Sequence, residues 1–142
     1  MGISRDRWLV NATMLFAIAA LAGCSSGEET LTGKYRLVGT LSDTVPFVAA
    51  RDPLCVHAVE NGSAKFERDG SYSSSFRMSH VCRDRADPAI DDPGVKNGRY
   101  TIAGDTVKLV NDAGVLTGIG LRQGQDTILV RGGLHTLVYV RE

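Results

Sequence analysis

The chain has no excess of charge of either sign, since 16 Lys and Arg balance 16 Asp and Glu over 142 residues. Proteins that bind nucleic acids use clustered Lys and Arg to neutralise phosphates, and this sequence has no basic block. We therefore expect no nucleic-acid partner. The 3.6-residue periodicity of apolar side chains that marks amphipathic helices is almost absent too, which argues against a helical domain.

The sequence also lacks the short motifs of common catalytic and metal sites. None of His57, His80 and His135 has a second ligand at metal-binding spacing, and we interpret them as structural. Ser79 and His80 are neighbours, and neighbours on a strand point to opposite faces, so they do not form a catalytic pair. No Gly-x-Ser-x-Gly or Ser-x-x-Lys motif is present. We predict that the protein is not an enzyme and binds no cofactor.

A charged segment over residues 83–98 offers oxygen ligands for calcium. It contains four aspartates, namely Asp84, Asp87, Asp91 and Asp92. Their spacing lacks the glycine and the terminal glutamate of an EF-hand loop. We interpret the segment as a solvated loop balanced by Arg83 and Arg85, and we predict no metal site.

One long apolar run is present, from Trp8 to Leu21, and it follows a basic start with Arg5 and Arg7. A basic start, an apolar run and small residues before a cleavage site are typical of a secretory signal peptide. The run is shorter than the roughly 20 residues that a membrane-spanning helix needs. We predict that residues 1–23 form a signal peptide.

The sequence Leu21-Ala22-Gly23-Cys24 resembles the lipobox of bacterial lipoproteins. The resemblance implies cleavage before Cys24, a diacylglycerol on its sulfur, and a fatty acyl chain such as palmitate on the new amino group. Several acyl chains bind a bilayer far more durably than one. The alternatives are a cleaved signal with a chance cysteine, and an uncleaved anchor.

The residues after Cys24 indicate where the protein is located. Ser25 resembles the residue that permits transfer to the outer membrane in Gram-negative bacteria, so we expect a cell-envelope lipoprotein, with the outer membrane favoured. Residues 24–30 are predicted to be a flexible tether, and its polar part spans at most roughly 20 Å. Cleavage leaves 14 basic and 15 acidic residues, because it removes Arg5, Asp6 and Arg7.

With Cys24 assigned to lipid, Cys55 and Cys82 remain as a pair. In an oxidising compartment such a pair predicts a disulfide. The bond would contribute about 3–4 kcal/mol in the chain-entropy model, and we expect its role to be structural. Two buried free thiols are the alternative.

Residues 31–142 consist of short runs of alternating apolar and polar residues, separated by Gly and Asp turns. In residues 71–78, for example, Tyr72, Phe76 and Met78 share one face, which is the period of a strand. Asp69-Gly70 before this run is a strong hairpin signal. The predicted strands are 33–39, 54–59, 64–68, 71–78, 99–102, 106–109, 116–122, 127–130 and 134–140. So many short strands favour an all-β, antiparallel, up-and-down barrel of about eight strands, because closure removes exposed edges; a sandwich is the alternative.

Four sequence fragments in this domain resemble small lipocalin-like bacterial lipoproteins. They are Gly33-x-Tyr35-x-Leu37-Val38, Phe66-x-x-Asp69-Gly70-x-Tyr72, Gly98-x-Tyr100-x-Ile102-x-Gly104-Asp105-x-Val107-x-Leu109 and Leu137-Val138-Tyr139. The resemblance covers residues 31–142 and implies a lipocalin-like barrel. True lipocalins are longer and have Trp where this chain has Tyr35, so the resemblance leaves open whether the barrel is hollow.

Two functional hypotheses follow. The first is a binding module for a small apolar ligand, which would lie beneath an apolar segment of the long loop 41–53. The candidate ligand-binding residues are Val45, Phe47, Val48, Phe66, Tyr72, Phe76 and Tyr100. The second is a protein-interaction module with a filled core, such as an inhibitor of a periplasmic protease or lysozyme, or an envelope assembly factor. A hollow interior would favour the first hypothesis.

Overall fold

The structure, a computed structural model, describes residues 31–92 and 94–142. The predicted signal peptide, Cys24 and the tether lie outside the described residues. The described chain forms antiparallel β-strands, and this part of the protein contains no long apolar helix that could cross a bilayer. The strands are β1 (Gly33–Thr40), β2 (Phe47–Arg51), β3 (Cys55–Phe66), β4 (Ser71–Cys82), β5 (Ala89–Asp91), β6 (Val95–Ala103), β7 (Thr106–Asn111), β8 (Leu116–Gln123), β9 (Thr127–Gly132) and β10 (His135–Arg141).

Eight of these strands close into a barrel. The strand order is β2-β3-β1-β10-β9-β8-β7-β6-β4-β5, and an additional β3–β4 pairing joins the sheet to itself. Around the barrel the strands therefore follow one another in chain order, with β2 and β5 outside the ring. The predicted all-β antiparallel barrel is confirmed.

The hairpin of β3 and β4 is longer than the barrel wall. Its inner half pairs with β1 and β6, whereas its outer half pairs with β2 on one side and β5 on the other. We call this four-stranded extension the distal sheet; it comprises β2, Cys55–Val59 of β3, Met78–Cys82 of β4, and β5. At its end Cys55 lies opposite Cys82, and the two form the predicted disulfide with an S–S distance of 2.01 Å.

The structure joins two predicted strands, 54–59 and 64–68, into the single strand β3. Gly62 in the polar segment between them is buried and permits close packing. A Cβ atom there would lie 2.9 Å from Phe76 Cδ1 and 3.1 Å from Leu37 Cδ2. A register shift between Val59 and Asn61 bends the strand at this point. Glycine at position 62 therefore lets the side chains of Phe76 and Leu37 pack closely against β3, and it does not mark a turn.

The predicted long loops are also partly strands. Loop 41–53 contains β2, and segment 83–98 contains β5 and the start of β6. β5 has only three residues, too few to show alternation. Both flanking strands form because the outer half of the β3–β4 hairpin would otherwise leave its backbone groups unpaired.

A cluster of aromatic side chains fills one end of the barrel, which we call the base. The ring of Phe66 packs edge-on against Tyr35 and Tyr100, with centroids 5.5 and 5.2 Å apart. Arg141 lies over the Tyr35 ring and donates a hydrogen bond to its hydroxyl at 2.9 Å. The buried Leu31 precedes β1 here, and its carbonyl accepts a hydrogen bond from the Tyr100 hydroxyl. The base is therefore closed.

Candidate ligand-binding cavity

The interior of the barrel contains a cavity of about 690 Å³. This volume lies within the roughly 300–1,000 Å³ of typical small-molecule sites. Its lining combines aromatic and aliphatic side chains with a smaller polar group, namely Ala64, Phe66, Tyr72, Ser74, Phe76, Lys96, Asn97, Leu109, Asn111, Thr117, Ile128, Val130, Gly133, Leu137 and Tyr139.

The cavity opens at the end of the barrel opposite the base, which we call the mouth. The β7–β8 and β9–β10 turns lie at this end, and Asn111 and Gly133 from these regions line the cavity. Lys96, near the start of β6, is also a lining residue and is exposed to solvent. A ligand could therefore enter from the mouth and meet apolar side chains deeper in the barrel.

Tyr72 spans the interior from β4 to β8. Its hydroxyl lies 3.0 Å from Thr117 Oγ1, and the Thr117 hydroxyl donates to the Leu109 carbonyl at 3.2 Å. Strand β6, one of the two strands between β4 and β8, has Gly98 at this point, where a Cβ atom would lie 2.7 Å from Tyr72 Cε1 and 2.0 Å from the Val110 carbonyl oxygen. Glycine at position 98 therefore allows Tyr72 to cross the barrel.

Two glycines of β8 help to keep the interior hollow. Gly118 and Gly120 are buried between exposed neighbours, so they lie on the inner face of the strand. A Cβ atom on Gly118 would meet Leu109 and Val130, both lining residues, at 3.5 Å. The β7–β8 ladder also shifts register between Leu109, which lies opposite Gly118, and Val110.

Two of the polar side chains that line the cavity, Lys96 and Tyr139, have no polar partner among the described residues. Lys96 lies on the same face of β6 as Gly98 and Tyr100 and makes no ion pair within the part of the chain that the structure describes. Tyr139 is 4% exposed, and its hydroxyl has no hydrogen-bond partner among the described residues. Burial raises the pKa of the Tyr139 hydroxyl well above its usual value, so this group stays protonated and can donate a hydrogen bond.

The structure brings together three of the predicted ligand-binding residues, since Phe66, Tyr72 and Phe76 line the cavity. Tyr100 lies in the closed base, where its hydroxyl is also 2.7 Å from the Glu67 carbonyl. Burial raises the pKa of the Tyr100 hydroxyl.

None of the three residues of the predicted apolar lid lines the cavity. Phe47 belongs to β2 and is buried, with its ring centroid 5.9 Å from that of His135. Val48 points to solvent, and Val45 packs against the core without lining the cavity. The segment pairs with β3, which extends past the barrel wall and offers an edge, and it contacts His135 near the mouth without lining the cavity.

Sequence reasoning missed Tyr139, Leu137 and Lys96. Tyr139 and Leu137 are two residues apart on β10 and both face inward, a placement that the alternation of the last strand could have indicated. Lys96 lies in a segment predicted to be a loop, and in a loop the direction of a side chain cannot be inferred from alternation.

The cavity therefore combines a largely apolar lining with a closed base and a solvent-facing lysine. No protein-family model, curated protein or solved structure matches the chain significantly.

Proposed function

We propose that this protein is a lipocalin-like, lipid-anchored binding module of the bacterial cell envelope, which holds a small and mainly apolar ligand in its barrel. The observation that supports this most strongly is the cavity of about 690 Å³ inside a barrel closed at its base. Burial of apolar area contributes roughly 25 cal/mol per Å², so a ligand that fills this volume gains affinity mainly from its apolar surface.

The ligand is amphipathic, with an anionic or strongly polar end at the mouth. Lys96 supplies a positive charge there, and Asn111 and Thr117 add polar atoms. Deeper in the cavity the Tyr139 hydroxyl offers one donor to a polar atom of the ligand. A carboxylate or phosphate ester on an aliphatic or aromatic body fits this distribution of groups.

Native mass spectrometry of the protein purified from its own host tests the proposal. We expect a bound apolar small molecule, and we expect the emptied protein to take up a hydrophobic fluorescent dye. A ligand-free spectrum together with no dye uptake would contradict the proposal.

Reversing the charge of Lys96 tests the polarity of the ligand. In Lys96→Glu the affinity for a fluorescent fatty acid should fall by about tenfold or more, because a charge-assisted hydrogen bond of roughly 1.5–3 kcal/mol is lost and a repulsion is added. The affinity for an uncharged apolar dye should change little. Titration by fluorescence measures both constants.

Lys108→Glu is the matched control, since Lys108 is exposed on the outer face of β7. It makes the same change in net charge away from the cavity. Equal losses of fatty-acid affinity in the two variants would show that the loss comes from the change in net charge alone, and that Lys96 does not contact the ligand.

A protein-interaction role is the second candidate, and one observation favours it. Several large apolar side chains at the mouth are exposed, including Leu134 at 95%, Leu41 at 71% and Val95 at 63%. Clustered apolar exposure marks interaction surfaces. If an envelope protein docks there, changing these three residues to serine should abolish its recovery in a pull-down; equal recovery would remove this candidate.

A further inference from the structure

The distal sheet brings together two histidines that are far apart in the sequence. His57 of β3 and His80 of β4 are directly opposite in the ladder, and their Nδ1 atoms are 2.5 Å apart. Their ring planes are inclined by 74°, so the two nitrogens face each other edge-on. Two residues away, the Cys55–Cys82 disulfide links the same strands and holds their register.

The other nitrogen of each ring faces a carboxylate. His57 Nε2 lies 2.9 Å from Asp52 Oδ2, and His80 Nε2 lies 3.8 Å from Asp91 Oδ2. Asp52 is held in place by the backbone N–H groups of Leu54 and Cys55, which donate to Oδ1 at 2.8 and 2.7 Å.

The carboxylates fix which nitrogen carries the proton. Asp52 Oδ1 already accepts from two backbone N–H groups and its Oδ2 lies against His57 Nε2, so this carboxylate acts as an acceptor. His57 must then carry its proton on Nε2, which leaves a lone pair on Nδ1. Asp91 favours the same arrangement in His80. Two lone pairs that face each other at this distance repel unless a proton or a metal ion lies between them, and metal titration distinguishes the two.

We propose that His57 and His80 form a binding site for a transition-metal ion such as Zn²⁺ or Cu²⁺, held between their Nδ1 atoms. Neutral imidazole is a preferred ligand of both ions, and metal-binding histidines usually donate their second N–H to a carboxylate. Asp52 supplies that acceptor for His57, and Asp91 lies 3.8 Å from the corresponding nitrogen of His80.

The geometry needs only a small adjustment to accept the ion. Tetrahedral zinc with Zn–N bonds of about 2.0–2.1 Å requires the nitrogens to be about 3.3 Å apart, so the two rings must separate by less than about 1 Å. The side chains are 26% and 23% exposed, which lets water complete the coordination. Cys55, although its sulfur is near Asp52 and His57, is committed to the disulfide and is not a ligand.

Titration of the untagged, disulfide-bonded full chain in detergent with ZnCl₂ or CuSO₄ tests the site. Calorimetry should show one ion per chain, and either His57→Ala or His80→Ala should weaken that binding by at least about tenfold. Asp52→Asn should keep the stoichiometry and weaken binding by roughly 10–100-fold. His135→Ala is the matched control, because His135 is half-buried elsewhere and contacts the Ala49 carbonyl at 2.9 Å.

A measurement on the unaltered protein keeps the test independent of whether the variants fold. The electron paramagnetic resonance spectrum of the 1:1 Cu²⁺ complex should show coupling to two imidazole nitrogens. Absence of binding by both ions, unchanged binding in the histidine variants, or coupling to fewer than two nitrogens would each overturn the proposal.

Discussion

The Ser74→Phe variant is expected to bind an apolar ligand at least about tenfold more weakly than the original protein. Ser74 lines the cavity, lying between Ala64 of β3 and Lys96 of β6 in the ladders. A benzyl group at this position projects into the space that the ligand would occupy. The ligand then loses both volume and apolar contact area.

The same substitution should leave the fold intact, and the empty variant should be at least as stable as the original protein. Filling a cavity replaces lost van der Waals contacts, whereas a residue forced into a dense core causes strain. Urea unfolding measures the stability, and fluorescence titration with a hydrophobic dye measures the affinity. A fall in affinity without a fall in stability would identify the cavity as the binding site.

Ser73→Phe is the matched control on the neighbouring residue of the same strand. Alternation along β4 directs Ser73 to the outer face, opposite the exposed Lys65, and Ser73 does not line the cavity. The control should bind the dye as the original protein does. Undiminished affinity in Ser74→Phe, or equal losses in both variants, would mean that the ligand binds outside the barrel.

Local patterns were sufficient to predict the barrel. Alternation in residues 71–78 gave the direction of Tyr72 and Phe76, and both side chains line the cavity. Asp69-Gly70 gave the β3–β4 hairpin, in which Gly70 has a φ of 81° that glycine adopts readily. The count of cysteines gave the disulfide. Each of these inferences uses a simple feature of the sequence: the two-residue period of a strand, the preference of Asp-Gly for a turn, or an even number of remaining cysteines.

The candidate sites depend on contacts between distant residues, which such patterns do not encode. Position 57 meets position 80 only because the β3–β4 hairpin is longer than the barrel wall. The cavity depends on two glycines in different strands. Gly98 makes room for the Tyr72 ring, and Gly118 leaves space beside Leu109 and Val130. Phe47 is predicted to cover a ligand, yet it is buried in the distal sheet beside His135, because the strand edge of β3 is available to its backbone.

The connection between the predicted tether and the barrel determines how a lipid-anchored protein would present its cavity. Leu31, the first described residue, is buried in the closed base, and the base is the end opposite the mouth. With Cys24 lipidated, a tether of at most roughly 20 Å would join the bilayer to the base. We therefore predict that the base faces the membrane and that the mouth opens away from it, toward soluble partners or ligands.

A matched pair of aspartates measures this orientation. Asp105 lies in the β6–β7 turn at the base and Asp112 lies in the β7–β8 turn at the mouth, and both are exposed. In the anchored protein, a fluorophore at position 105 should be quenched by spin-labelled lipid headgroups more strongly than one at position 112. The reverse order would place the mouth against the bilayer and favour direct extraction of ligands from the membrane.

The largest effect is expected from removal of the lipid anchor. In a Gram-negative host, Cys24→Ser should abolish the incorporation of labelled fatty acid. It should also abolish partitioning of the protein into the detergent phase. Serine lacks the sulfur to which the lipid would be attached, and the several acyl chains that hold the protein on a bilayer would be lost together. The double variant Cys55→Ser/Cys82→Ser is the matched control, because it removes the other two cysteines and should remain fully labelled. Label that persists in Cys24→Ser, or an original protein that never takes up label, would mean that residues 21–24 are not a lipobox.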